Sequence, residues 1–141
     1  MFRWPVEGRI PPLGEFGPRD SGIPGERVQH DAVDINAEEG TPVYASADGE
    51  VSLVELADDP GNEGVGNSVC MKHGDEHEFQ TQYHHLRDAP LVKKGDVVNQ
   101  GDLLGYVGQT GNASGPHLCW WTLRHGIPWN PRQFVKTFGE G

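Results

Sequence analysis

Cysteine is scarce in this chain of 141 residues: Cys70 and Cys119 are the only two, too few for a disulfide framework, although one bridge between them is possible. Cationic side chains are also scarce, 11 lysines and arginines against 21 acidic residues, for a net charge of −10. That balance excludes nonspecific binding to nucleic acid and to anionic lipid, whose phosphates would be repelled. No apolar run approaches the roughly 20 residues that span a bilayer, and Met1-Phe2-Arg3-Trp4-Pro5 lacks the apolar stretch of a signal peptide. Membrane insertion is therefore not expected. Long amphipathic windows are missing as well, because 20 glycines and 11 prolines recur between short apolar runs.

What remains is an all-β pattern of about one domain's length. Alternation predicts strands over Ala32–Ile35, Pro42–Ala45, Gly49–Leu56, Asn67–Lys72, Glu78–His85, Leu103–Val107 and Leu118–Leu123. Turn signals fall between them at Glu39-Gly40-Thr41-Pro42, Ala47-Asp48-Gly49, Asp59-Pro60-Gly61-Asn62, His73-Gly74-Asp75 and Lys94-Gly95-Asp96. Short strands joined by tight turns close into a compact antiparallel β-barrel or sandwich, because an open flat sheet leaves its edges exposed. We expect a single domain over 1–141. Residues 1–28 read as an N-terminal arm packed on the barrel and anchored by Trp4, Ile10, Leu13 and Phe16. A short turn is expected near Pro131–Val135.

Chemistry concentrates in three segments. His30 and Asp34 are four apart, about 13 Å on a straight strand, so both can reach one ion only if the chain bends between them. His117 and Cys119 project to one face of a strand about 7 Å apart. In Tyr83-His84-His85-Leu86, strict alternation puts Tyr83 and His85 on one face and His84 on the other, so one histidine is expected to enter a site. His73, His77 and His125 read as turn or loop residues, Asp31 as a solvated acid or an outer partner of an imidazole, and Cys70 as a strand-interior thiol. One of Trp120 and Trp121 must face opposite to the other; core packing is the commoner fate of such a residue, a groove wall the alternative.

Together these pieces resemble the lysostaphin-like zinc peptidases of peptidase family M23, which cut peptide bridges in bacterial peptidoglycan. The resemblance runs through Trp4-Pro5-Val6, Phe16-Gly17 with Arg19, His30-x-x-x-Asp34-Ile35, Gly40-Thr41-Pro42-Val43-Tyr44-Ala45, Tyr83-His84-His85-Leu86, Lys94-Gly95-Asp96-Val97, Gly105-x-Val107-Gly108, Gly115-Pro116-His117-Leu118 and Asn130-Pro131. It implies a barrel-sandwich fold, one Zn²⁺ ion, peptidoglycan cross-links as substrate, and an extracytoplasmic location with the export signal outside these 141 residues. It makes His30 and Asp34 zinc ligands and matches His85 and His117 to the two assisting histidines. The third ligand of the family is the second histidine of a His-x-His motif, and Cys119 stands there; the aromatic-acidic pair that follows is Trp120-Trp121.

Thiolate is a good zinc ligand, but it makes the centre formally neutral where a histidine leaves it +1. Bound water is then less acidic, and lowered or altered hydrolysis is expected. The alternative implied by the same departure is a catalytically impaired relative that serves as a binding or scaffold module. From another class, Leu91–Gly105 is similar to the hairpin of lipoyl and biotinyl carrier domains, but neither Lys93 nor Lys94 has the flanking residues of a modifiable lysine.

Overall fold

The computed structural model describes residues 1–20, 23–62 and 64–139. After a single 3-10 turn at Pro12–Gly14, eleven strands and one α-helix follow in order among them: β1 (Gly17–Asp20), β2 (Arg27–His30), β3 (Val33–Asn36), β4 (Pro42–Tyr44), β5 (Gly49–Glu55), β6 (Asn67–His73), β7 (Phe79–Leu86), β8 (Val97–Val98), β9 (Leu103–Tyr106), β10 (His117–Arg124), β11 (Ile127–Trp129) and α1 (Pro131–Phe138). The main antiparallel sheet runs β11-β10-β7-β6-β5-β8, with β3 and β11 sharing the edge of β10 opposite β7; β4-β9 and β1-β2 are separate two-stranded sheets. The protein is all-β, as its turn-punctuated alternation predicts.

Burial follows the pleat. On β10, Leu118, Trp120 and Thr122 are buried on the inner face, while His117, Cys119 and Trp121 share the other. The inner face joins Val51, Val69, Met71, Tyr83, Leu86 and Leu104 in one core. The core contains a buried polar chain. His73 Nδ1 meets the Asp48 carbonyl at 2.8 Å, His73 Nε2 meets Thr81 Oγ1 at 2.8 Å, Thr81 meets the Tyr83 hydroxyl at 2.8 Å, and the Ser46 amide donates to that hydroxyl. A carbonyl only accepts, so the proton of neutral His73 is on Nδ1 and Thr81 donates to Nε2. His73 is thus a core residue, 2% exposed, and not the turn residue its Gly74 neighbour suggests.

The arm differs from expectation in its anchors. Ile10 and Phe16 pack against the core and Trp4 lies against Trp120 at a ring-centroid distance of 5.4 Å, but Leu13 is exposed. Phe2 is instead fully buried in a second aromatic cluster with Phe79 and Phe134. That cluster explains why the turn expected at 131–135 extends into a helix over 131–138. Asn130 caps it through its side chain, Pro131 suits the first turn, and Phe134 and Phe138 present one face to Phe2, Phe79 and Trp129. The expected strands all form, with ends shifted by one residue or so.

Candidate metal centre

β10 lies between β3 and β7, and register places Asp34, Cys119 and His84 in one row across the three strands. Directly opposed residues share a face, so the three side chains emerge together. His30 joins them from the end of β2, because the chain turns at Asp31-Ala32 before entering β3. The bend required by the four-residue spacing is therefore present.

Side-chain donor atoms of His30, Asp34 and Cys119 all lie within 4.8 Å of one another. His30 Nε2 is 3.7 Å from Asp34 Oδ1, too far for a hydrogen bond and close to the separation of two donors around a tetrahedral zinc. His30 Nδ1 donates to the Glu15 carbonyl at 3.0 Å, which fixes the tautomer and leaves the Nε2 lone pair for the centre. Asp31 does not take this orienting role. The other Asp34 oxygen, Oδ2, faces Arg19 at 3.5 Å, and Arg19 is held by donating to the Leu13 carbonyl. Cys119 is buried and, like Cys70, free, so the bridge between them does not form. Burial and the Asp34 carboxylate push the Cys119 thiol far above its ordinary range. Cys70 on β6 is likewise raised, to about 11, by burial and then by Glu55.

His85 and His117 stand beside this trio with ring centroids 4.9 Å apart. His85 Nδ1 donates to the Thr110 carbonyl at 2.7 Å and His117 Nδ1 to the Gly115 carbonyl at 2.8 Å, so each neutral ring keeps its lone pair on Nε2. His117 Nε2 is 3.6 Å from Asp34 Oδ1. Burial lowers the His85 pKa against the opposing Thr110 bond, and the neighbouring His117 adds to the lowering.

Strict alternation fails at one point. His85 has φ +67°, in the left-handed region, and the β6–β7 register shifts between Asn67 and Val69. Tyr83 therefore points into the core while both His84 and His85 line the same groove, not one of them. His84 is buried, contacts Gln82 at 3.1 Å through Nε2, and has its pKa lowered to about 4 by burial and by His85. Its role as a groove wall was not legible from the Tyr-His-His run. His77 and His125 are exposed as expected. The groove, about 540 Å³, is further lined by Leu13, Val65, Asn112 and Trp121. Of the tryptophan pair, Trp120 is core and Trp121 is groove.

Comparison with known proteins identifies the family. Residues 28–131 match the model of peptidase family M23. The chain is 36% identical over 129 residues to the peptidoglycan DD-endopeptidase ShyA of Vibrio cholerae, covering 91% of this chain and 28% of that protein. Among solved structures, a zinc containing peptidase from Vibrio cholerae superposes with a TM-score of 0.78 at 32% identity over 92% of this chain and 38% of the other. The catalytic domain of lysostaphin from Staphylococcus simulans gives 0.69 at 28% identity, covering 86% of this chain and 89% of that one. The chain spans about a quarter of the length of the first curated relatives it matches. A family match over most of the chain, the shared fold and the convergent histidines, carboxylate and cysteine lead to one conclusion: this chain belongs to peptidase family M23.

Proposed function

We propose that the chain is a zinc metalloendopeptidase that hydrolyses peptide cross-links of bacterial peptidoglycan, with His30, Asp34 and Cys119 holding one ion. The observation that carries the reading is the convergence of three donor groups from β2, β3 and β10 at the floor of a groove that also presents two tautomer-fixed imidazoles. Two features of the chain fit a cation there. The Cys119 sulfur sits against a carboxylate in a buried position, a pairing that a divalent ion resolves by deprotonating the thiol. The indole Nε1 of Trp121, on the same face of β10, is buried without a well-formed hydrogen bond among the described residues and faces the Cys119 sulfur, where it favours the charged thiolate.

A zinc ion held by these residues supplies Lewis acidity toward the scissile carbonyl and an acidified water. The protein groups do the rest. His85, kept neutral by burial and presenting its Nε2 lone pair, accepts the proton of the attacking water. His117, one ring away, is the group that would hydrogen-bond to the carbonyl oxygen as negative charge gathers there, a role it fills only after taking up a proton at Nε2. The groove holds the extended peptide across both. Its substrate in the wall places the protein outside the cytoplasm; the described helix is not long and apolar enough to cross a membrane. A single domain over 1–141, with 1–28 laid on the sheets, belongs to the same proposal.

Elemental analysis of purified protein together with digestion of isolated peptidoglycan tests the reading. Wild type is expected to carry one zinc per chain and to release new peptide termini from the wall, and Cys119→Ala to lose both. Stoichiometric zinc retained in Cys119→Ala, or wild type that binds zinc and cuts no wall peptide, overturns it.

A further inference from the structure

The second position after the cysteine carries another departure from the family pattern, a tryptophan where the acid stands, and the structure gives the two departures one explanation. β10 alternates so that Cys119 and Trp121 stand on the same face, two residues apart, both lining the groove. Indole is a donor only, and a buried N–H left without an acceptor costs on the order of 1–3 kcal/mol. Trp121 Nε1 makes no well-formed hydrogen bond among the described residues, and the group it faces is the Cys119 sulfur, whose charged form it favours. The ring is held against His84, with centroids 6.1 Å apart, so the donor is fixed at the site and is not a surface side chain turned inward.

We propose that Trp121 is a positioning residue of the metal centre, its indole N–H donating to the Cys119 sulfur when that sulfur is a metal-bound thiolate. The chemistry of the exchange is direct. A histidine ligand offers a second ring N–H, which suits a carboxylate partner, whereas a thiolate offers lone pairs, which suit a donor. A thiol is a weak acceptor and a thiolate a strong one, so the indole N–H that faces the Cys119 sulfur is far better satisfied when that sulfur is charged. An acid at position 121 would instead repel the thiolate. Cysteine at 119 and tryptophan at 121 thus form one functional unit. The inference rests on the ligand set proposed above.

Trp121→Phe removes the N–H and keeps an aromatic ring in place. Circular dichroism and thermal melting of the metal-free variant check that it folds. Zinc affinity, measured by competition with a chromophoric chelator, is expected to fall about tenfold or more. In protein loaded with Co²⁺, the sulfur-to-metal charge-transfer band of wild type is expected to move to lower energy in Trp121→Phe, because the sulfur lone pairs lose a stabilising donor. A third readout needs no variant: in ¹⁵N-labelled wild type, the Trp121 indole N–H resonance moves downfield and exchanges more slowly with solvent when zinc is added. Unchanged affinity with an unchanged band, or an indole resonance indifferent to zinc, overturns the inference and leaves the ligand set standing. Absence of any charge-transfer band in Co²⁺-loaded wild type is the distinct result that removes Cys119 as a ligand and takes both proposals with it.

Discussion

Asp34 divides its two oxygens: Oδ1 faces the imidazoles of His30 and His117, and Oδ2 faces the Arg19 guanidinium. With a carboxylate and a thiolate in one centre, Arg19 supplies the adjacent positive charge and fixes which oxygen turns inward. Arg19→Gln is expected to weaken zinc binding about tenfold or more, read by chelator competition. His85 contributes in a separable way. His85→Ala should keep its zinc, by elemental analysis, while peptidoglycan digestion slows by a factor of about 10² or more; loss of zinc in proportion to activity would contradict the division between ligands and assisting groups. His30, Asp34, Cys119, His85 and His117, the residues proposed as ligands and assisting groups, were legible because a family pattern covers their positions. Arg19 as the partner of a ligand was not, since nothing in Phe16-Gly17-Pro18-Arg19 says that the β1–β2 hairpin turns its side chain toward Asp34.

Elements matter here mainly where two loops clasp β7. Thr110 donates to the Leu86 carbonyl, accepts from the Asn67 amide at 3.0 Å, and offers its own carbonyl to His85. Gly66 makes this possible: its φ is +66° and a Cβ there would stand 2.5 Å from the Thr110 carbonyl carbon. Gly66→Ala should cost about 1–3 kcal/mol in denaturant unfolding and also slow turnover, because Thr110 and with it the His85 tautomer are displaced while the three ligands are untouched. The longer strands were readable from alternation with turn signals at their ends. β1, β2, β8 and β11 were not, for a physical reason. β3, β4 and β9 are as short but bury Val33, Val43 and Leu104, whereas β2 is exposed along most of its length and no residue of β11 is buried, so no buried face imposes a pattern there. α1 was underestimated because its length is set by an aromatic cluster whose members lie at positions 2, 79, 129, 134 and 138.

For the whole molecule, buried neutral histidines set the acid limit. His84, His85 and His73 all have pKa values pushed below 6.5 chiefly by burial, His84 to about 4. Above pH 6.5 these rings are neutral both folded and unfolded, and their contribution is complete. As pH falls through 6.5 the unfolded chain takes up protons first, so stability declines until the folded rings protonate in turn. For His84 the loss ends near pH 4 and amounts to about 3 kcal/mol. The denaturation midpoint of metal-free protein should therefore drop between pH 6.5 and 4, with a shallower slope in His84→Gln; a flat profile over that range would refute the burial argument. By itself the sequence determined the all-β class, through glycine and proline punctuation and two-residue periodicity, and it named the groups able to bind metal, because residue type carries ligand chemistry. Only the tertiary structure decided that Asp34, Cys119 and His84 share one row, that both imidazoles of His84-His85 turn to one groove, and that Trp121 and Arg19 stand beside Cys119 and Asp34. Those placements depend on strand register, a left-handed φ at His85 and a bend after His30, which arise from pairings between segments far apart in the chain.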